Sequence, residues 1–118
     1  MKPEPKVKPI AIDLLTVDRR GADGAVWSLA HGGDLDANLV RLGPGGGVDA
    51  HVNDDVDVLI VGIDGSGRVT IDSVQNELCT GIVIAIPKGT TRSIQSRAEG
   101  ELVYLTVHRA RAGVRIRR

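Results

Sequence analysis

Gly81-Ile-Val-Ile-Ala-Ile-Pro87-Lys-Gly89-Thr-Thr-Arg92-Ser-Ile-Gln-Ser96 is the stretch that decides how this chain folds. Its first half, Ile82 to Ile86, is an unbroken apolar run bounded by Gly81 and Pro87, the pattern of a strand buried on both faces. Proline cannot donate to a ladder, and glycine tolerates the left-handed conformation of tight turns, so Pro87 and Gly89 punctuate the run. Arg92 and Ser96 follow at fixed spacing.

The same alternation of short runs and turns extends outward. Upstream, Val56 to Ile63 reads as a strand stopped by Asp64-Gly-Ser-Gly67, and Arg68-Val-Thr-Ile-Asp72 reads as its hairpin partner. Leu39-Val-Arg-Leu42 is a further strand, ended by Gly43-Pro-Gly-Gly-Gly47, and Ala25 to Ala30 is another, carrying Trp27. Downstream, Leu102 to His108 alternates, with Val103, Leu105 and Val107 on one face. Ile10 to Val17 is a weak apolar stretch, and Asp18 to Gly24 is rich in turn formers. No segment past residue 20 sustains a helical period, and glycine totals 15. The expectation is an all-β domain, an antiparallel sandwich or barrel.

With 118 residues the chain supports one domain, since domains usually run roughly 100–200 residues. Residues 1–9, with three of the five prolines, read as a flexible lead-in, 10–108 as the barrel, and 109–118 as a basic extension or edge strand. Val and Ile number 25 against one Trp, one Tyr and no Phe, so aliphatic side chains must build the core. The lone Cys79 has no disulfide partner and reads as a small buried hydrophobe. No apolar run approaches the roughly 20 residues that span a bilayer, and the start lacks the apolar region of a signal peptide. A cytoplasmic protein with no membrane partner is expected.

The 15 basic and 15 acidic side chains cancel, which argues against a nucleic-acid binder at the level of the whole chain. The balance hides a division. Residues 9–107 hold 7 basic and 14 acidic side chains, while the last eleven residues hold five arginines and no acid. That tail has no aromatic ring to stack on bases, and it reads as a solvated arm or an exchanged edge strand.

Function-bearing residues gather in Gly45-Gly-Gly-Val-Asp-Ala-His51-Val-Asn53-Asp-Asp-Val-Asp57. His51, Asn53 and Asp57 share strand parity, so an imidazole, an amide and a carboxylate can converge on one face. Taken with the Gly81–Ser96 stretch, this segment resembles the cupin superfamily, small antiparallel jelly-roll β-barrels marked by two glycine-bounded motifs. Gly45, His51 and Gly65 fall in place for the first motif, and Gly81, Pro87 and Gly89 for the second. The resemblance spans about Leu39 to Val107 and implies a cupin-type barrel and a homodimer.

It also implies a divalent metal held by two His and a Glu from the first motif and a His from the second. Here Asn53 stands at the second His position and Arg92 at the motif-two His position. The Glu position falls on Asp57 or Val58, and parity favours Asp57. The final Asn of motif two is Ser96. Guanidinium has no lone pair and repels a cation, and an amide is a poor ligand for transition metals. The site is therefore expected to be degenerate, without a tightly bound metal; a weakly bound divalent ion would have His51, Asn53 and Asp57 as ligands. The reading is a small anionic ligand bound in the barrel by His51, Asn53, Asp57, Arg92 and Tyr104, with Arg92 paired to Asp57.

Two rival readings follow from the same residues. One is a metal-dependent oxygenase, isomerase or epimerase using His51 and Asp57. The other is a structural or regulatory dimeric module. Whether the protein is an enzyme stays open at this point. The acidic group Asp49, Asp54, Asp55 and Asp57 reads as a solvated loop, and His31 and His108 as surface or satisfied polar positions.

Overall fold

The computed structural model describes residues 8–30 and 33–110. His31, the lead-in up to residue 7 and the tail from residue 111 lie outside them. After a 3-10 turn, Leu14–Thr16, whose first turn is capped by the Asp13 carboxylate on the Leu15 amide, come eight strands. These are β1 (Gly24–Ser28), β2 (Leu35–Leu42), β3 (Gly47–Val52), β4 (Val58–Ile71), β5 (Val74–Cys79), β6 (Val83–Ile86), β7 (Thr91–Ser96) and β8 (Leu102–Arg109). All pairings are antiparallel. A five-stranded sheet runs β1-β2-β8-β4-β6, and a four-stranded sheet runs β3-β7-β4-β5. The all-β jelly roll expected from the sequence is the fold observed.

β4 belongs to both sheets. Residues 58–65 pair with β6 and β8, and residues 66–71 pair with β5 and β7. The expectation that Asp64-Gly-Ser-Gly67 ends a strand, with Arg68 to Asp72 as the returning partner, is therefore overturned. The glycines there serve a bend in one continuous strand. A bulge between Gly62 and Asp64 shifts the register against β8. Gly65 has φ of 72° and a side chain on it would collide with the Glu101 carbonyl, so only glycine lets β4 cross between sheets. The true hairpin joins β4 to β5 through Asp72 and Ser73, both at positive φ (46° and 73°). A two-residue loop of that type is usually marked by Asn-Gly or Asp-Gly, which this sequence lacks.

β6 corrects a second expectation. Ile86 is fully buried, but Val83 is 56% exposed and Ile82 39%, so the run packs on one face only and lies at a sheet edge. Apolar composition alone could not separate an edge strand from a central one.

Between the sheets sits an aliphatic core of Leu42, Ile60, Val69, Leu78, Ile94 and Leu102, together with Tyr104 and the loop residue Val56. The segment preceding β1 is fastened to the outside by ion pairs. Arg19 reaches Asp64 (3.2 Å) and Glu101 (3.3 Å), and Arg41 reaches Glu101 (3.0 Å). Among the described residues no helix is long and apolar enough to cross a membrane.

Candidate functional site

One end of the barrel is closed by the loop after β3 and the loop between β6 and β7, and the motif residues lie there. β3 and β7 form its wall. Val48 faces Ile94, and the next facing pair is His51 and Arg92. Three steps along β3 match two along β7, so the bulge lies at Asp49 and Ala50. In regular register Ala50 would face Arg92 and His51 would point outward. The extra residue turns His51 onto the inner face.

On β7, Arg92 alternates with Ile94 and Ser96, which are 5% and 4% exposed, so the guanidinium belongs to the interior face. Its Nη1 is buried. Tyr104, on the facing five-stranded sheet, is 2% exposed. Burial pushes its hydroxyl up to about 12, and the positive charge of Arg92 pulls it part of the way back. The two walls are thus electrostatically coupled across the barrel, and Tyr104 stays protonated, a hydrogen-bond donor, at neutral pH.

Asn53 completes the inner group. The β3–β7 ladder continues past Val52 and Thr91 to a Gly89 N–H donating to the Asn53 carbonyl at 2.8 Å, with Gly89 at φ of 86°. Alternation then puts the Asn53 side chain on the face of His51 and Arg92, where it is 7% exposed. Its Oδ1 accepts from the backbone N–H of Asp55 (2.9 Å) and Val56 (3.3 Å). Only an oxygen can accept both, so the amide orientation is fixed and Nδ2 points away as a donor. That Nδ2 is buried and meets no acceptor among the described residues. An unmet buried donor costs about 1–3 kcal/mol, so this is a place where an acceptor is called for.

Asp57 is not brought into this group. It is exposed, and its Oδ1 accepts from the Lys88 N–H at 2.8 Å, while the next residue, Val58, faces the core at 5% exposure. The expected Asp57–Arg92 pair therefore does not form, because the carboxylate is turned outward to hold the β6–β7 loop. His51 stands at the rim, exposed, with Nδ1 2.9 Å from the Asp49 carbonyl. Facing a carbonyl, Nδ1 serves that contact as a donor. Asp49, Asp54 and Asp55 are exposed around it, and Cys79 is half-buried on β5.

A metal of the kind the motif implies does not fit this donor set. The Asn53 oxygen is spent on a turn, Asp57 faces away, and Arg92 takes the place of a further ligand. Among the described residues no three His, Cys, Asp or Glu side chains gather as a metal site would require.

The sequence reading missed the contribution of the five-stranded sheet to the mouth. On the inner face of β2 and β8, Asn38 pairs across from Thr106 and Asp36 from His108, all half-buried. Alternation of Asp36, Asn38, Val40 and Leu42 could have shown this, but β2 was read only from Leu39 onward. Ser96 has a purely structural part. Its buried hydroxyl donates to the Gly43 carbonyl and ties β7 to the turn after β2. A cavity of about 500 Å³ lies elsewhere, on the outer side of the four-stranded sheet among Arg68, Glu77, Gln95 and Arg97. It is on the opposite face of β7 from Arg92, and Arg97 and Glu77 stand 3.9 Å apart in it, both exposed.

Two antiparallel sheets sharing one strand, with a polar group at one barrel end, define a small cupin-type jelly roll. No protein-family model matches the chain, and no curated protein matches it. Solved structures do. The cupin domain of Cnp3 from Schizosaccharomyces pombe aligns with a TM-score of 0.73 over 90% of this chain and 77% of that one, at 16% identity. A cupin protein from Bacteroides fragilis gives 0.70 over 93% and 88%, at 18% identity. An uncharacterised protein with a double-stranded β-helix domain from Klebsiella pneumoniae gives 0.74 over 89% and 93%, at 12% identity. The chain has the cupin fold.

Proposed function

We propose that this protein binds a small anion in the barrel mouth, without a tightly bound metal. The carrying observation is the buried, acceptor-less Nδ2 of Asn53 on the inner face that also bears the Arg92 guanidinium. Tyr104 adds a protonated hydroxyl, so Asn53, Arg92 and Tyr104 each offer a donor, which suits a group made of acceptors. The fold carries no chemistry by itself, and the enzymatic rival using His51 and Asp57 loses support because the two side chains diverge.

The test is an NMR titration with formate, phosphate and sulfate that follows the Asn53 side-chain amide. A saturable shift of that resonance, abolished in Arg92→Gln with the fold intact, is expected. No response to any of the three anions overturns the reading. So does a near-stoichiometric divalent metal in purified protein that is lost in His51→Ala.

A separate observation favours self-association. The outer face of the five-stranded sheet carries Leu59, Val61, Val83, Leu105 and Val107 as facing neighbours on β4, β6 and β8. Leu59 is 38% and Val83 56% exposed, a contiguous aliphatic surface of the kind that marks an interface. We further propose a homodimer through this face. Light scattering reads it directly: Leu59→Asp should convert dimer to monomer, and a wild-type monomer at micromolar concentration removes the proposal.

A further inference from the structure

We propose that the segment ahead of β1, residues 10–20, supplies part of the surface through which two copies of this protein associate, and that Arg19 clasps it in place for that contact. The inference rests on the dimer reading above and deepens it, by naming further residues that meet the second copy and the contact that presents them.

The segment lies on the outer face of the five-stranded sheet. The ladder sets Val103 of β8 between Arg41 of β2 and Asp64 of β4. Arg19 holds Asp64 (3.2 Å) and Glu101 (3.3 Å), while Arg41 donates to the Gly21 carbonyl (3.3 Å) and stands 3.7 Å from Asp23. A chain gripped at both ends of that row crosses over Val103. Val103 is fully buried, as is Leu39 on the same face, although neither belongs to the core between the sheets. Residues 8–23 join no ladder, so these side-chain contacts are what fasten the strap to the barrel.

The strap has two sides. Leu14 and Val17 are half-buried. Ile10, Ile12 and Leu15 are 51%, 42% and 73% exposed and turn away from the barrel. Three large aliphatic side chains within six residues, on the same face of the molecule as Leu59 and Val83, extend one apolar patch rather than scatter singly.

Size makes the strap necessary. A stable interface takes about 20–30 residues a side. The strands alone offer Leu35, Leu59 and Val83 as clearly exposed large apolar side chains on this face, which is few. The strap doubles that number.

Charge selects a second copy as the occupant. Residues 9–107 carry 14 acidic against 7 basic side chains, so two copies repel over most of their surface. The outward positions around Leu59 are Val61, Val83, Ala85, Leu105 and Val107, all without charge. On the strap, exposed Asp18 is already paired with Arg20 at 2.8 Å. A two-fold contact sets one patch against itself, and a patch of neither sign tolerates that. A strongly charged partner would find no complementary charge there.

Sedimentation velocity of the full chain from about 0.1 to 100 micromolar tests this, with circular dichroism confirming that each variant folds. Ile12→Ser and Leu15→Ser, both at exposed side chains, should each raise the dimer dissociation constant at least about tenfold. Arg19→Ala should raise it too, although Arg19 faces its own barrel, and trypsin should then cut after Arg20 faster than in the wild type. Glu101→Gln, which removes another charge of the clasp, should act in the same direction. Arg20→Ala breaks only the exposed pair with Asp18 and should leave the constant within about twofold. A wild-type monomer across this range removes the dimer reading and this inference together. A wild-type dimer that Leu59→Asp breaks and the strap variants leave unchanged keeps the dimer reading and overturns the part given to the strap. A dimer tightened by Arg19→Ala also overturns it, because the strap would then shield the face instead of supplying it.

Discussion

On the five-stranded sheet, the outward residues of its central strands are Leu59, Val61, Leu105 and Val107. On the four-stranded sheet, the outward positions hold Arg68, Glu77 and Gln95, facing one another across three strands. The inner faces differ in the complementary sense. The five-stranded sheet contributes buried Ile60, Leu102 and Tyr104, and the four-stranded sheet brings His51 and Arg92 to the mouth. The five-stranded sheet is apolar on the outer face of its central strands and over most of its inner face, with Asp36, Asn38, Thr106 and His108 as the polar exception at the mouth. The other is solvated outside and polar at one inner end, and it holds the candidate chemistry. Both sheets feed the same core, the four-stranded one through Val69, Leu78 and Ile94, so its polar end stands beside well-packed aliphatic positions.

The largest expected break in this comparison is Ile60→Ala. Ile60 is 1% exposed in the five-stranded sheet, and removing its buried methyl and methylene groups should cost about 2–5 kcal/mol in chemical denaturation. An equal loss on substituting exposed Arg68, where surface changes usually stay within about 0.5 kcal/mol, would erase the distinction.

Next in size is the pH response of Tyr104. Its hydroxyl titrates near 12 in the folded protein against an ordinary value of 10.0. The unfolded chain therefore releases this proton first, so the stability it confers is complete below pH 10 and is lost as pH rises toward 12. The loss should reach about 2–3 kcal/mol, and it should vanish from the pH profile of Tyr104→Phe. A profile unchanged by that substitution would place the alkaline transition elsewhere.

The smallest effect is expected at Ser96, on the four-stranded sheet. Ser96→Ala removes a buried hydroxyl and leaves the Gly43 carbonyl with one partner fewer, a cost of about 1–2 kcal/mol. Thermal unfolding reads it, and a loss as large as that of Ile60→Ala would show that the second sheet is no less essential than the first.

The architecture was legible in the sequence because glycine and proline mark reversals and Val and Ile mark strands. Gly45, Gly81 and Gly89, at positive φ, stand where the spacing put them. The path of β4 was not legible. A glycine cluster that lets a strand bend looks the same as one that ends it, and the real turn at Asp72 and Ser73 lacks glycine. At the mouth, simple parity placed His51 with Asn53, and the motif resemblance added Arg92; both strand residues, His51 and Arg92, face inward together because the bulge at Asp49 and Ala50 shifts the count. Parity failed for Asp57, which lies in a loop where alternation no longer applies. The depth of Tyr104 depends on the facing sheet, and that is information of the third dimension.

β4 has one more consequence. Its 14 residues are hydrogen-bonded into both sheets, so the two halves of the barrel share a spine. Neither sheet can swing away from the other as a rigid leaf. The loops at residues 53–57 and 87–90 are tied to each other by the Lys88 N–H on Asp57 and the Gly89 N–H on the Asn53 carbonyl. With the sheets joined along one strand, the freedom left at this end of the barrel belongs to those loops.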